Sequence, residues 1–415
     1  MILYRAAWVL PIVAPPIRDG SVLVHDGRIV GVFAEQSPAR IQQPGDAGQQ
    51  EPSLEVIDLG DVAVLPGLVN AHTHLELSWM RDKIPPSDSM PAWAASLIAL
   101  RRAHDGDPRA PIAEAIEEGR RAGTAIVGDV TNTLVADQLL GESPLAGAIF
   151  YEVLGLNAAA PDQLVTAAQT ELERLTPRRL WRRAVVPHAP YSVSAELFRA
   201  IGSAAGDRPV SVHLGESREE MEFLRSGTGA WRDLLGRLGV WNERWQPPGC
   251  GPVEYLDRLG LLNERLIAVH GTQLPDGELT RLAGAGATLV TCPRSNRWTG
   301  AGTPPIDRFY ASGVLVAIGT DSLASVEDLN LFGELAYLRR IAPHIPAARF
   351  LASATIAGAT ALGFGQEFGS IEAGKRANLI AVRTPAGLED VEEYLVSGLQ
   401  PDDIQWLETR GNAEC

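Results

Sequence analysis

Histidines recur at one kind of position in this chain. The sequence has eight, and five of them end short apolar runs: His72 with His74, His188, His213 and His270. Asp321 follows a fifth such run in the same way. Neutral imidazoles with a carboxylate suit a borderline divalent cation such as zinc, and a site with three or four protein ligands and one open position is catalytic. A single histidine at such a position is usually a hydrogen-bonded structural residue, but the repeated placement predicts a catalytic metal site.

Alternating strands and helices must bring these residues together. From Val62 to Thr320 the sequence alternates eight apolar runs with helical stretches. The runs are Val62–His72, Thr124–Val130, Ala146–Val153, Arg183–His188, Pro209–Leu214, Leu266–His270, Ala287–Cys292 and Val314–Thr320. Eight such units over about 250 residues predict a closed (β/α)₈ barrel, whose active site forms at the carboxyl ends of the strands. The five histidines and Asp321 lie at those ends.

The two ends of the chain are β-patterned and flank the predicted barrel. Ser21–Val24 and Arg28–Phe33 surround an Asp-Gly turn, which is typical of a hairpin. Gln42–Pro52 is rich in turn residues and is expected to be a loop. Ala377–Val382 is a further apolar strand near the other end. We therefore expect an α/β protein with the barrel over residues 61–365 and a small composite β-sandwich built from residues 1–60 and 366–415.

Composition disfavours several classes of protein. The 36 basic and 51 acidic residues give a formal net charge of −15, which argues against binding to nucleic acid or to an anionic membrane surface. No segment is long enough to span a bilayer, and the apolar stretch near residue 10 has the pattern of a strand more than that of a signal peptide. The three cysteines form no CxxC pair, so a cytoplasmic location is expected. The expected partner is a small-molecule substrate, and the chain is compatible with a homodimer.

Several motifs resemble one known family. They are LPGLVNAHTH at 65–74, HLGES at 213–217, CPRSN at 292–296 and GTDS at 319–322. Together they resemble the amidohydrolase superfamily, in its branch of cytosine deaminases, triazine hydrolases and S-adenosylhomocysteine deaminases. The segment HTHLELS at 72–78 is similar to aminodeoxyfutalosine deaminase-like members. The resemblance implies a metal bound by His72, His74, His213 and Asp321, with His270 beside the bound water.

The scarcity of lysine bears on the number of metal ions. Binuclear members of the superfamily commonly bridge their two metals with a carboxylated lysine on a middle barrel strand. This chain has only two lysines, Lys83 and Lys375, and neither lies on a predicted barrel strand. We therefore expect one divalent ion, Zn²⁺ in the first place and Fe²⁺ or Mn²⁺ as alternatives.

The expected chemistry is hydrolysis. A metal ion in an open site lowers the pKa of a coordinated water towards about 7, which makes hydroxide available at neutral pH. Glu216 follows the ligand His213 by three residues and is expected to carry a proton from the water to the substrate. His270 could hold the nucleophile, and Asp321 could accept its proton as well as bind metal. The alternative for Glu216 is a purely structural role at a helix start, because Ser217 and Glu220 form a capping-box pattern.

A further set of residues is expected to contact the substrate. His188 resembles the family's substrate-contacting histidine, and Arg81, Trp79 and Ser322 are further candidates. Trp93 and Tyr191 could line a pocket, although aromatic residues near strand ends are core residues at least as often. Glu76 could brace its loop or touch the ligand, and Ser295 and Asn296 could either cap a loop or serve the site.

Three functional classes follow. The favoured one is hydrolytic deamination of an aminated heterocycle, such as an aminopurine nucleoside of the aminodeoxyfutalosine or adenosine type. The second is hydrolytic dechlorination or removal of an amino group from a triazine-like ring. The third is a non-catalytic barrel, which a missing ligand would reveal; none of the expected ligands is missing.

Overall fold

A computed structural model describes residues 1–34 and 53–407. The loop predicted at Gln42–Pro52 lies outside these residues. Within the described ranges no helix is long and apolar enough to cross a membrane.

The strands divide between one terminal sheet and two parallel four-stranded sheets. They are β1 (Ile2–Val9), β2 (Ile17–His25), β3 (Arg28–Phe33), β4 (Glu55–Asp58), β5 (Val62–Pro66), β6 (Leu68–Thr73), β7 (Thr124–Thr131), β8 (Ala146–Val153), β9 (Trp181–Pro187), β10 (Val210–Leu214), β11 (Leu266–His270), β12 (Thr288–Thr291), β13 (Leu315–Ile318), β14 (Leu379–Arg383) and β15 (Ile404–Trp406).

Both ends of the chain contribute strands to the terminal sheet. Its order is β15-β14-β5-β1-β2-β3, and β4 also pairs with β1. The predicted hairpin of β2 and β3 is antiparallel and turns at Asp26 and Gly27, which both have positive φ. These strands form one sheet in the described residues, so the second layer that a β-sandwich requires is not confirmed.

The other two sheets form the predicted barrel. Strands β6 to β9 pair in order, as do β10 to β13, and all these pairs are parallel. Hydrogen bonds join the two sheets at both seams: the His213 amide donates to the His188 carbonyl at 2.9 Å, and the Asp321 amide donates to the His72 carbonyl at 3.1 Å. The apolar strands are therefore buried on both faces, as in α/β barrels.

The first predicted strand, Val62–His72, is wrong as a single element. The chain changes sheets at Gly67: β5 pairs with β1 and β14, whereas β6 pairs with β7 in the barrel. A Cβ atom at Gly67 would lie 2.6 Å from the Ala125 side chain, so only glycine fits at this crossing. Apolar composition could not reveal the break, because both strands are buried.

Helices cover the outside of the barrel. They are α1 (Met90–Ala103), α2 (Arg109–Arg121), α3 (Asp137–Glu142), α4 (Pro161–Glu173), α5 (Ala195–Ala205), α6 (Arg218–Ser226), α7 (Ala230–Arg237), α8 (Pro252–Arg258), α9 (Asp276–Gly284), α10 (Pro293–Trp298), α11 (Ile306–Ala311), α12 (Leu331–Ile341), α13 (Ala347–Ala352), α14 (Gly358–Ala361) and α15 (Val391–Leu395). The apolar stretch Phe350–Leu362 is not one continuous α-helix, because a π-helical turn at Ser353–Ala357 lies between α13 and α14.

Candidate metal centre and active site

Three strand ends, those of β6, β10 and β13, bring three histidines and one aspartate to a single point. His72 and His74 are two residues apart on an extended chain, so both side chains face inward. The Nε2 atoms of His74 and His213 are 3.3 Å apart. Asp321 Oδ1 lies 3.6 Å from His74 Nε2 and 3.9 Å from His72 Nε2. The structure therefore brings together all four residues for which a ligand role was predicted.

Burial keeps these imidazoles neutral. The pKa of His72 is lowered well below its usual value, by burial first and then by the neighbouring histidines. Burial likewise lowers the pKa of His213 to about 4. Both ring nitrogens of His72 are buried without a hydrogen-bond partner, which is costly for a polar side chain unless another group satisfies them. Uncharged nitrogen donors that face a carboxylate fit a divalent metal ion.

Hydrogen bonds to the far side of His213 and Asp321 fix their orientation, so that each presents one atom to the centre. His213 Nδ1 lies 3.1 Å from the His188 carbonyl oxygen, which can only accept, so Nδ1 carries the hydrogen and Nε2 the lone pair. Ser295 Oγ donates to Asp321 Oδ2 at 2.6 Å, which leaves Oδ1 facing the histidines. Such hydrogen bonds hold metal ligands in place and tune their basicity.

Close packing of two strands brings Asp321 to His72. Gly319 precedes Asp321 by two residues, and a Cβ atom there would lie 2.7 Å from the His72 carbonyl oxygen. His270 and Asp321 have φ values of 76° and 61°, a region that residues other than glycine rarely adopt. Such strain is often found at functional sites.

Glu216 faces the cluster and takes no part in capping the next helix. Its side chain is 2% exposed, and Oε1 lies 3.7 Å from His270 Nε2. The start of α6 is capped by Ser217 Oγ, which accepts from the Glu220 amide, while Glu220 accepts from the Gly215 and Glu216 amides. Burial, followed by the negative charge of Asp321, raises the pKa of Glu216 well above its usual value.

A cavity of about 640 Å³ opens above the cluster. His188 and Ser322, both predicted substrate contacts, line it together with His74, Glu216, His270 and Asp321. Tyr191 also lines it and stacks on Trp231 at a centroid distance of 3.9 Å. The outer wall is apolar and comes from α1 and α7, with Trp93, Leu97, Ile98, Leu234 and Leu235.

Two predicted substrate contacts are corrected by the structure. The chain after His74 forms a short 3₁₀ helix, Leu75–Met80, which directs Trp79 onto the ring of His104 at a centroid distance of 3.6 Å. Arg81 pairs with Glu118. Neither Trp79 nor Arg81 is among the described residues that line the cavity.

The cavity also contains polar residues that the sequence did not single out. Glu152 is the last residue but one of β8, and its carboxylate lies 3.5 Å from His213 Nδ1. Its position near the strand end was a signal comparable to that of the histidines. Arg101 and Asn132 bond to each other at 2.8 Å. Glu76 accepts hydrogen bonds from Arg101 and from both Thr131 and Thr133, so it braces the loop. Arg101 lies on α1, a helix that was not predicted and carried no recognisable motif.

Neither lysine lies on a barrel strand. Lys83 lies over the Trp79 ring at 4.8 Å, and Lys375 pairs with Glu372 and bonds to Ser370. This placement agrees with the expectation that no lysine bridges two metals.

Known proteins are similar to this chain in sequence and in fold. The model of the amidohydrolase family matches residues 63–400. An aminodeoxyfutalosine deaminase from Deinococcus radiodurans is 34% identical over 75% of this chain and 76% of its own length. A 5-methylthioadenosine/S-adenosylhomocysteine deaminase from Moorella thermoacetica is 30% identical, covering 99% of this chain and 93% of the relative. The crystal structure of an adenosine deaminase from Xanthomonas campestris with bound zinc superposes with a TM-score of 0.78, at 29% identity over 97% of this chain and 90% of that one.

Proposed function

The chain belongs to the amidohydrolase family, and we propose that it removes the exocyclic amino group of an adenosine-like nucleoside by hydrolysis and releases ammonia. One observation carries the proposal: the Glu216 carboxylate borders the same cavity as the converging side chains of His74, His213 and Asp321. The relatives named above are deaminases of such nucleosides, which supports the same reaction class here.

We assign the metal to His72, His74, His213 and Asp321 and propose Zn²⁺. Three nitrogen donors with one carboxylate are a common zinc ligand set, and the similar adenosine deaminase structure holds zinc. The bound ion would supply Lewis acidity, which makes water a nucleophile at neutral pH.

Glu216 is then the proton carrier. Attack of water on the ring carbon that bears the amino group needs a base for the water's proton and an acid for the adjacent ring nitrogen. A carboxylate whose pKa is raised by burial can do both in turn near neutral pH. The reaction balances as aminopurine plus water giving oxopurine plus ammonia.

The rest of the cavity suits a purine nucleoside with a substituent. His188 and Ser322 are placed beside the cluster and are our candidates for contacts with the ring, while Tyr191 and Trp231 provide an aromatic wall. The apolar side formed by α1 and α7 leaves room for an apolar group on the sugar. The net charge of −15 disfavours polymeric nucleic acid as substrate.

The test is ammonia release from a panel of nucleosides. Zinc-loaded protein is incubated with adenosine, 5′-methylthioadenosine, S-adenosylhomocysteine and aminodeoxyfutalosine, and with single-stranded DNA as a polymer control. We expect ammonia from at least one nucleoside and far less from the polymer. A His72→Gln variant should lose both bound zinc and activity. The proposal is refuted if protein with one zinc per chain releases no ammonia from any of the four nucleosides.

A further inference from the structure

The short helix α10 touches the catalytic centre twice, through consecutive residues. Ser295 and Asn296 are both 0% exposed. Ser295 Oγ donates to Asp321 Oδ2, as described above, while Asn296 Nδ2 lies 2.9 Å from His270 Nδ1. β12 itself carries none of the proposed ligands, so its contribution to the site comes through this helix.

Hydrogen bonding on both sides of the His270 ring determines where its hydrogen lies. A neutral imidazole has one N–H and one lone pair. The amide NH₂ of Asn296 can only donate, so His270 Nδ1 must accept. On the other side of the ring, His270 Nε2 faces the Glu216 carboxylate at 3.7 Å, and an acceptor there favours a hydrogen on Nε2. The two neighbours agree on the same tautomer.

We propose that Asn296 is a positioning residue that holds His270 in the tautomer with hydrogen on Nε2. The catalytic part of this proposal rests on the deaminase function proposed above. With its lone pair on Nδ1 engaged by Asn296, His270 has no free nitrogen with which to bind the metal or to accept a proton from the attacking water. It acts instead as a hydrogen-bond donor to the oxygen of the nucleophile.

The tautomer of His270 determines which side chains can accept a proton in the site. The proton released by the attacking water then goes to a carboxylate at the cavity, and Glu216, whose Oε1 lies 3.7 Å from His270 Nε2, is our candidate. His270, which is 1% exposed, then stabilises negative charge that develops on the oxygen. The centre therefore keeps the four proposed ligands and gains no fifth from β11.

The tautomer can be read directly in the unmodified protein. The eight histidines are labelled with ¹⁵N, and nitrogen–hydrogen correlation spectra are recorded for metal-free and zinc-loaded protein, with His270→Gln used to assign the resonance. We expect the Nε2–H pattern for His270 in both states. The Nδ1–H pattern overturns the proposal. Because the spectrum needs no substrate, an Nε2–H result with no deaminase activity would contradict only the proposed function.

Two variants separate tautomer control from mere packing. In Asn296→Asp the new carboxylate can only accept, so the hydrogen should move to Nδ1 and kcat should fall by roughly 10²–10⁴-fold with little change in KM, as expected for a wrong histidine tautomer. Asn296→Leu removes the hydrogen-bond donor without imposing the other tautomer, so its kcat should fall less than that of Asn296→Asp. If Asn296 had only a structural role, Asn296→Leu should lose more activity than Asn296→Asp, because aspartate is closer to asparagine in shape.

Controls come from the same helix. Arg297→Gln changes an exposed neighbour and should leave turnover unchanged. Ser295→Ala should leave the His270 Nε2–H signal in place, because Ser295 bonds to Asp321 and not to His270. The proposal is overturned if Asn296→Asp keeps wild-type kcat or is more active than Asn296→Leu. If Asn296→Asp does not fold, the spectrum of the wild-type protein still decides.

Discussion

Replacing Glu216 by glutamine distinguishes a role in proton transfer from a structural role at the start of helix α6. Glutamine keeps the shape of the side chain but cannot transfer a proton. Because Ser217 and Glu220 cap helix α6, the Glu216 side chain has no capping role to lose. The substitution should therefore affect turnover and leave the fold and the metal content intact.

The expected size of the effect follows from the role of the group. A positioned acid–base group contributes about 10²–10⁴-fold in rate, which corresponds to a barrier about 2.7–5.4 kcal/mol higher when it is lost. Stability should move the other way. The pKa of Glu216 is raised by burial, so the ionised side chain costs the folded state stability as pH rises above its unfolded value, near 4.5. Metal-free Glu216→Gln should thus be at least as stable as wild type at pH 7.

Three measurements on one preparation decide the matter: ammonia release, zinc per chain and Tm. Glu222→Gln is the matched control, because it makes the same change at an exposed position of α6 and should leave all three unchanged. Near-normal turnover in Glu216→Gln would show that another group carries the proton. Loss of zinc together with turnover would show that the carboxylate mainly supports the metal.

Three further changes have definite expected outcomes. Ser295→Ala removes a hydrogen bond to the aspartate ligand and should weaken zinc binding by about 10–100-fold, measured by competition with a chelator; unchanged affinity would contradict the positioning role. Gly319→Ala places a methyl group 2.7 Å from the His72 carbonyl oxygen, so it should lower the free energy of unfolding by about 1–3 kcal/mol and weaken zinc binding. Gly277→Ala places its methyl group in open space and should change neither quantity. Burial lowers the pKa of His188 to about 4, so in metal-free protein the stability that wild type holds over His188→Gln should shrink as pH falls from about 6.5 to 4, measured by denaturant unfolding; a pH-independent difference would refute this.

The barrel and its cluster were predictable because both rest on local signals. Apolar runs ended by His188, His213 or His270 mark buried strands whose carboxyl ends meet, so the alternation alone brings the histidines together. The family, the barrel and the deaminase class predicted from the motifs are confirmed by the matched family and its relatives. The roles of the individual side chains remain predictions.

What could not be predicted depends on contacts distant in sequence. The break at Gly67 is set by Ala125 and Trp406 packing over the glycine, which no local pattern shows. Trp79 and Arg81 were expected in the cavity because they closely follow the metal-binding motif. A 3₁₀ turn takes Trp79 to His104, and an ion pair engages Arg81.

The proposed metal ligands are divided between the two sheets that form the barrel. His72 and His74 belong to the half that contains β6 to β9, whereas His213 and Asp321 belong to the half that contains β10 to β13. Neither half alone offers more than two of the proposed ligands. A bound ion would therefore hold the two halves together, and because the unfolded chain lacks the assembled site, its binding free energy would add to the stability of the folded state. Two fragments cut at the exposed turn of Gly206 should then reassociate far more tightly with zinc than without it.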